Sequence, residues 1–182
     1  MPREENRRAL LEMMPKGAVC AEIGVWDGFF SAQILEITQP RRLHLVDPWL
    51  FQPEFNNSAF GRDANSDAME EKFLAVQDRF AGDERVVIHR CLSHEALAEF
   101  GNGELDWVYL DGNHNYEVVA GDLALSLDKV RADGIIAGDD FFWRKDKGAP
   151  VRTAVREAVA RLGEAVRFSR MGQQYILDLS RG

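Results

Sequence analysis

Two apolar runs of the chain end in acids. "YLDGNHNYE" (109–117) stops at Asp111 and places His114 three residues on, and "GIIAGDDFF" (134–142) stops at Asp139 and Asp140. Grouped carboxylates repel one another unless a cation or a proton joins them. Histidine is the side chain whose ordinary pKa suits proton transfer near neutrality. Upstream, "AEIGVWDGFFS" (21–31) carries Glu22, Gly24 and Gly28, "LHLVDPW" (43–49) carries Asp47, and "RCLSHE" (90–95) carries Ser93 and His94. Glycine at a strand-to-helix turn lets backbone approach a ligand closely. A dinucleotide fingerprint needs G-x-G-x-x-G. Here Trp26 takes the second glycine's place, and the spacing G-x-x-x-G after an acid suits a nucleoside other than NAD. An acid ending the second strand can accept from both ribose hydroxyls. Asp47 therefore marks a ribose site, with Trp49 available to stack on a base or cover the pocket. Ser93 and His94 fall near an adenine edge.

Such residues need a scaffold that brings strand ends together. Short apolar runs at 18–24, 41–48, 85–90, 105–111 and 134–140 read as buried strands. Helical spacing separates them at 29–38, 67–80, 93–101, 115–130 and 151–163. This alternation predicts βαβ units in a mainly parallel sheet covered on both faces. Two last strands, 165–169 and 174–179, are joined by "RMGQ", short enough for an antiparallel hairpin. In a doubly wound sheet, ligands bind outside the carboxyl ends of the strands. Acids close four of the five parallel strands, so they should share one rim.

The chain is expected to be a single domain over 1–182, with an N-terminal helix within 1–17. Residues 49–64 are aromatic and unperiodic, the profile of a lid insertion or of a dimer contact. A net charge of −8 argues against a nucleic-acid surface, which needs clustered Lys and Arg. Cys20 and Cys91 adjoin apolar runs and read as buried free thiols. The N-terminus lacks the apolar core of a signal peptide, and no stretch is long enough to span a membrane. A cytoplasmic protein with no membrane partner is the expectation. His44 and His89 lie inside strands and read as structural, and Asp122 reads as a packing tie within its helix.

Together these residues resemble class I S-adenosylmethionine-dependent methyltransferases. The resemblance runs from about residue 18 to 179, strongest in "AEIGVWDGFFS", "LHLVDPW", "DWVYLDGNHNYEVVAGDL" and "GIIAGDDF". The last two are similar to bacterial small-molecule O-methyltransferases related to macrocin O-methyltransferase, and more distantly to catechol O-methyltransferase. The resemblance implies an α/β, Rossmann-like doubly wound seven-stranded sheet, mostly parallel with an antiparallel last strand. It assigns Glu22, Gly24 and Gly28 to the methionine end of the cofactor, Asp47 to the ribose and Ser93 to the adenine. It implies Asp111, Asp139 and Asp140 as ligands of one divalent cation, and His114 as general base. One departure stands out. Several relatives carry a small hydroxyl residue two positions after the second motif glycine, where this chain has Phe30, with Ser31 one later.

The implied reaction is attack of a small molecule's hydroxyl on the methyl sulfonium. A cation lowers the hydroxyl's pKa and orients it, and a histidine takes the proton. Three carboxylates suit a hard ion such as Mg²⁺. Plainer readings exist: the acid pair as an Asx-turn leaving a strand, and His114 as a turn residue bonded to backbone. Trp143, Arg144 or Lys145 would contact the acceptor. A metal-independent methyltransferase and a non-catalytic S-adenosylmethionine-binding protein remain as alternatives. The lid and N-terminal helix leave room for a homodimer.

Overall fold

Runs such as Val19–Ile23 and Leu105–Leu110 are apolar along almost their whole length because both faces of their strands are covered. The computed structural model describes residues 3–55, 58–62 and 64–180, and only the backbone of Lys145. Its strands are β1 (Val19–Ile23), β2 (Arg42–Val46), β3 (Val86–His89), β4 (Leu105–Leu110), β5 (Val130–Gly138), β6 (Arg167–Met171) and β7 (Gln174–Asp178). They form one seven-stranded sheet in the order β3-β2-β1-β4-β5-β7-β6. Neighbours from β3 to β5 pair in parallel. The last strand, β7, runs antiparallel to both β5 and β6, as expected. β6 starts two residues later than the sequence suggested, because Gly163–Ala165 winds into a 3-10 turn first.

The helices are α1 (Arg3–Met13), α2 (Phe29–Thr38), α3 (Ala59–Arg62), α4 (Ser66–Arg79), α5 (Ser93–Glu99), α6 (Tyr116–Lys129) and α7 (Pro150–Leu162). Leu10 and Leu11 of α1, Ile34 of α2 and Val76 of α4 pack on one face of the sheet. Leu97 of α5, Leu123 of α6 and Val155 of α7 pack on the other. Among the described residues, no helix is long and apolar enough to cross a membrane.

Three expectations change. The 49–64 segment is not wholly irregular: it holds a 3-10 turn at Pro53–Phe55 and α3, while residues 56, 57 and 63 lie outside the described residues. Trp49 neither stacks on nor covers a pocket. Its backbone N–H donates to Asp47 Oδ1, its indole N–H donates to the Trp26 carbonyl at 2.9 Å, and its ring is buried beside Phe73. Cys20 is buried as expected, but Cys91 is partly exposed, since it lies just past the edge strand β3.

Candidate functional site

The carboxyl ends of β1, β2 and β4, with the start of α5, enclose a cavity of about 390 Å³. Gly24, Asp47, Ser93, His94 and Asp111 line it, and Leu50, Phe55 and Phe60 form its apolar wall. Gly24 sits at φ +91, where a Cβ would overlap the backbone of Asp111 and Gly112. Only glycine lets the β1 turn pass so close to the end of β4. Gly28 (φ +75) opens α2 and backs onto Phe80, outside the cavity lining.

Two acids fasten this half. Asp47 Oδ2 accepts the N–H groups of Val25 (3.0 Å) and Trp26 (3.1 Å), and Oδ1 accepts that of Trp49 (2.7 Å). The carboxylate keeps room for about one further donor, and it lines the cavity. Glu22 lies below the cavity, fully buried, and accepts from the Ser31 hydroxyl. Burial pushes its carboxyl up to about 8, although the Ser31 bond pulls the other way. Ser31, displaced by one from its position in relatives, is thus the partner of Glu22. At the start of α5, burial pushes Asp122 up to about 6 while the Ser93 hydroxyl bonds to it, a tie between α5 and α6. His44 and His89 place ring nitrogens 2.9 Å apart beside Phe100, away from the cavity lining.

The other half gathers acids at the ends of β4 and β5. The expected trio of Asp111, Asp139 and Asp140 is not the set the structure assembles. Asp139 Oδ1 accepts from Gln174 Nε2 (2.6 Å) and the Asp140 N–H (2.7 Å). Its Oδ2 accepts from Arg3 Nε and Arg7 Nε, both at 2.8 Å. A carboxylate has about four acceptor positions, and these donors fill them. Gln174 in turn accepts from the buried Tyr109 hydroxyl at 2.5 Å. Burial alone would raise the Asp139 carboxyl, but Arg7 and Arg3 hold it below the usual range.

Asp111, His114 and Asp140 form the alternative group, with one donor atom from each within 4.8 Å of the others. His114 Nε2 lies 3.4 Å from Asp111 Oδ1 and 3.4 Å from Asp140 Oδ2. Neither contact meets hydrogen-bond geometry, so this buried nitrogen has two carboxylate neighbours but no hydrogen-bond partner among the described residues. Burial lowers the imidazole's pKa, but Asp111 and Asp140 outweigh it and the net direction is upward. Trp143 covers the ring, with centroids 5.2 Å apart.

Beside His114 opens a cleft of about 480 Å³, lined by Phe55, Asn115, Trp143, Arg144 and Lys147. Glu54 and Phe55 separate it from the first cavity and line both. The loop from β5 to α7 that carries Trp143 has three left-handed non-glycine residues: Asp140 (φ 56), Arg144 (φ 45) and Ala149 (φ 47). Each costs on the order of 1 kcal/mol or more, and such strain gathers where geometry matters more than stability.

Sequence reasoning missed Arg3, Arg7, Gln174 and the lining role of Trp26. Arg3 and Arg7 are four apart, which puts two cations on one helical face. That spacing was visible in the sequence, but what the face meets was not.

The family described as "Methyltransferase domain" matches residues 21–141. No curated protein matches the chain. The solved O-methyltransferase NovP is 20% identical, with a TM-score of 0.67, over 98% of this chain and 80% of that one. A candidate caffeoyl-CoA O-methyltransferase from Staphylococcus aureus is 12% identical, with a TM-score of 0.67, over 100% and 85% of the two chains. A candidate rRNA-methylase from Clostridium thermocellum is 11% identical, with a TM-score of 0.68, over 98% and 96%. At these identities the likeness to solved structures is one of fold.

Proposed function

The chain belongs to the methyltransferase-domain family and is an S-adenosylmethionine-dependent methyltransferase, and we propose that it methylates a hydroxyl of a small molecule, with His114 as general base. The observation that carries this reading is the buried His114 Nε2, without a hydrogen bond among the described residues, set between two carboxylates and next to the Trp143 cleft. The cavity suits the cofactor: it has an apolar wall, an acid at the end of β2, and a glycine turn where backbone comes close. When bound, S-adenosylmethionine supplies an electrophilic methyl carbon on a sulfonium. In this reading Gly24 and Gly28 shape the turn at its methionine end, with Glu22 bracing that turn from below. Asp47 takes the ribose, and Ser93 and His94 face the adenine. Leu50, Phe55 and Phe60, from the 49–64 segment, roof it.

The acceptor enters the cleft against Trp143, with Arg144 and Lys147 at its edge. His114 Nε2 would take the proton of the acceptor's hydroxyl, with the methyl group supplied by the cofactor held in the neighbouring cavity. In this reading Asp111 and Asp140, each with an oxygen 3.4 Å from Nε2, stabilise the imidazolium that results.

A second reading has its own observation, the close grouping of Asp111, His114 and Asp140. Two carboxylates and an imidazole are a fitting donor set for a divalent cation such as Mg²⁺ or a softer relative. Such an ion would lower the pKa of a hydroxyl bound to it. His114 would then be a ligand instead of the base, and Asp139 would take no part.

The test is release of S-adenosylhomocysteine from a panel of hydroxylated acceptors, run with EDTA and with added Mg²⁺. Activity that survives EDTA and falls at least about 100-fold in His114→Ala supports the base. Activity abolished by EDTA and restored by Mg²⁺ selects the cation reading. Methylation only at nitrogen or carbon acceptors would overturn hydroxyl transfer altogether.

A further inference from the structure

The acids of β4 and β5 already have cations beside them, and the two cations are held very differently. Arg7 is built in. Its side chain is 17% exposed, it donates to both Asp111 and Asp139, and its guanidinium lies 4.9 Å over the Phe30 ring. One turn further along α1, Leu10 and Leu11 are fully buried and anchor the helix. Arg3 is the first residue of α1, and its side chain is half exposed. Its Nη2 reaches Asp139 at 2.7 Å, Asp140 at 3.1 Å and Asp111 at 4.0 Å. The first turn of a helix has N–H groups without intrahelical partners and opens at little cost.

Removing each arginine has a different consequence. Without Arg7, buried Asp139 would lose one of its charged partners and Asp111 its guanidinium. Without Arg3, Asp139 keeps Arg7, Gln174 and the Asp140 N–H, so no buried charge is stranded. What Arg3 uncovers is Asp111 Oδ1 and Asp140 Oδ2. These are the two oxygens that face His114 Nε2, each at 3.4 Å.

We propose that Arg3 is an exchangeable counter-ion, occupying the carboxylate faces that a divalent cation would take, so that such a cation enters the Asp111–His114–Asp140 group only as Arg3 leaves. Arg7 stays throughout as a positioning residue. The proposal rests on reading those three side chains as able to hold a cation. A guanidinium and a divalent ion cannot share two oxygens a few ångströms apart without strong repulsion. The first turn of α1 thus sets how much of the protein carries a metal at a given concentration.

Mn²⁺ is the probe, its free ion counted by electron paramagnetic resonance against full-length protein. Arg3→Gln should bind Mn²⁺ at least about tenfold more tightly than the unsubstituted protein. Adding Asp140→Asn to Arg3→Gln should cancel the gain, with far-ultraviolet circular dichroism confirming that both variants are folded. Equal affinity with and without Arg3, no Mn²⁺ bound by Arg3→Gln, or a gain that persists with Asp140→Asn would each overturn the exchange. S-adenosylmethionine titrated into the same samples reports on the cofactor cavity separately. A fault in that cavity would therefore show as lost cofactor binding with the Mn²⁺ result intact.

Discussion

The two halves of the rim bury acids by opposite means. In the half at the ends of β1 and β2, Glu22 and Asp47 are met by uncharged donors: one hydroxyl and three backbone N–H groups. Burial dominates there, and both carboxyls are pushed up. In the other half, Asp139 is as deeply buried but has two guanidiniums, and its carboxyl is held down. Burial sets the direction for both carboxyls of the first half, while guanidiniums set it for Asp139 in the second. A buried acid is a cost that either can offset, but only the second leaves a charge poised for exchange.

The comparison can be broken from several sides. Gly24→Val should have the largest effect, because it strikes the seam between the halves. A side chain at φ +91 that overlaps the Asp111 backbone should cost about 4 kcal/mol or more and abolish S-adenosylmethionine binding, read by urea melts and calorimetry. Arg7→Ala comes next, at about 3 kcal/mol in the same melts, because it removes one partner of a buried ion pair. If it cost no more than an exposed arginine, Asp139 would not depend on that charge.

The halves should also part company with pH. Glu22 has a folded pKa of about 8, above its ordinary value of 4.5. Its contribution is therefore fully present below about pH 4.5 and lost as pH rises through 8, a change on the order of a few kcal/mol. Asp139, held below its ordinary value, contributes above that value and loses its contribution as pH falls. Glu22→Gln should flatten the alkaline limb of the stability profile and leave the acid limb alone. An alkaline limb unchanged in the variant would remove Glu22 as its source. The smallest effect belongs to Arg3→Gln, whose half-exposed pairs should cost less than about 1 kcal/mol. A larger loss in urea would mean that Arg3 is as structural as Arg7.

The same contrast explains what the sequence made legible. The partners of Glu22 and Asp47 lie 9, 22, 21 and 2 residues away, all within the two motifs that flag these acids. Alternating apolar runs and helical spacing also placed all seven strands, with β6 starting two residues late, after the 3-10 turn at Gly163–Ala165, and β5 starting four residues early, at Val130, directly after α6. The acid half is assembled across the fold. Arg7 is 104 residues from Asp111 and 132 from Asp139, and Arg3 is 137 from Asp140. No local pattern announces such partners, so the carboxylates were read as a set awaiting a metal. Trp49 misled for a related reason. An aromatic after a proline in a loop resembles a pocket cover, yet its N–H bond to Asp47 turns it into the core.

The reach of Arg3 and Arg7 across the fold has a consequence for synthesis. Arg3 and Arg7 leave the ribosome before the acids they must meet, which follow more than a hundred residues later. Gln174, which grips Asp139 from the other side, comes later still. The half around Glu22 and Asp47 can close while the chain is still growing, but the acid half must wait for β7. Until then α1 carries two unpaired cations and a strip of exposed leucine, a nascent state suited to a chaperone's grip.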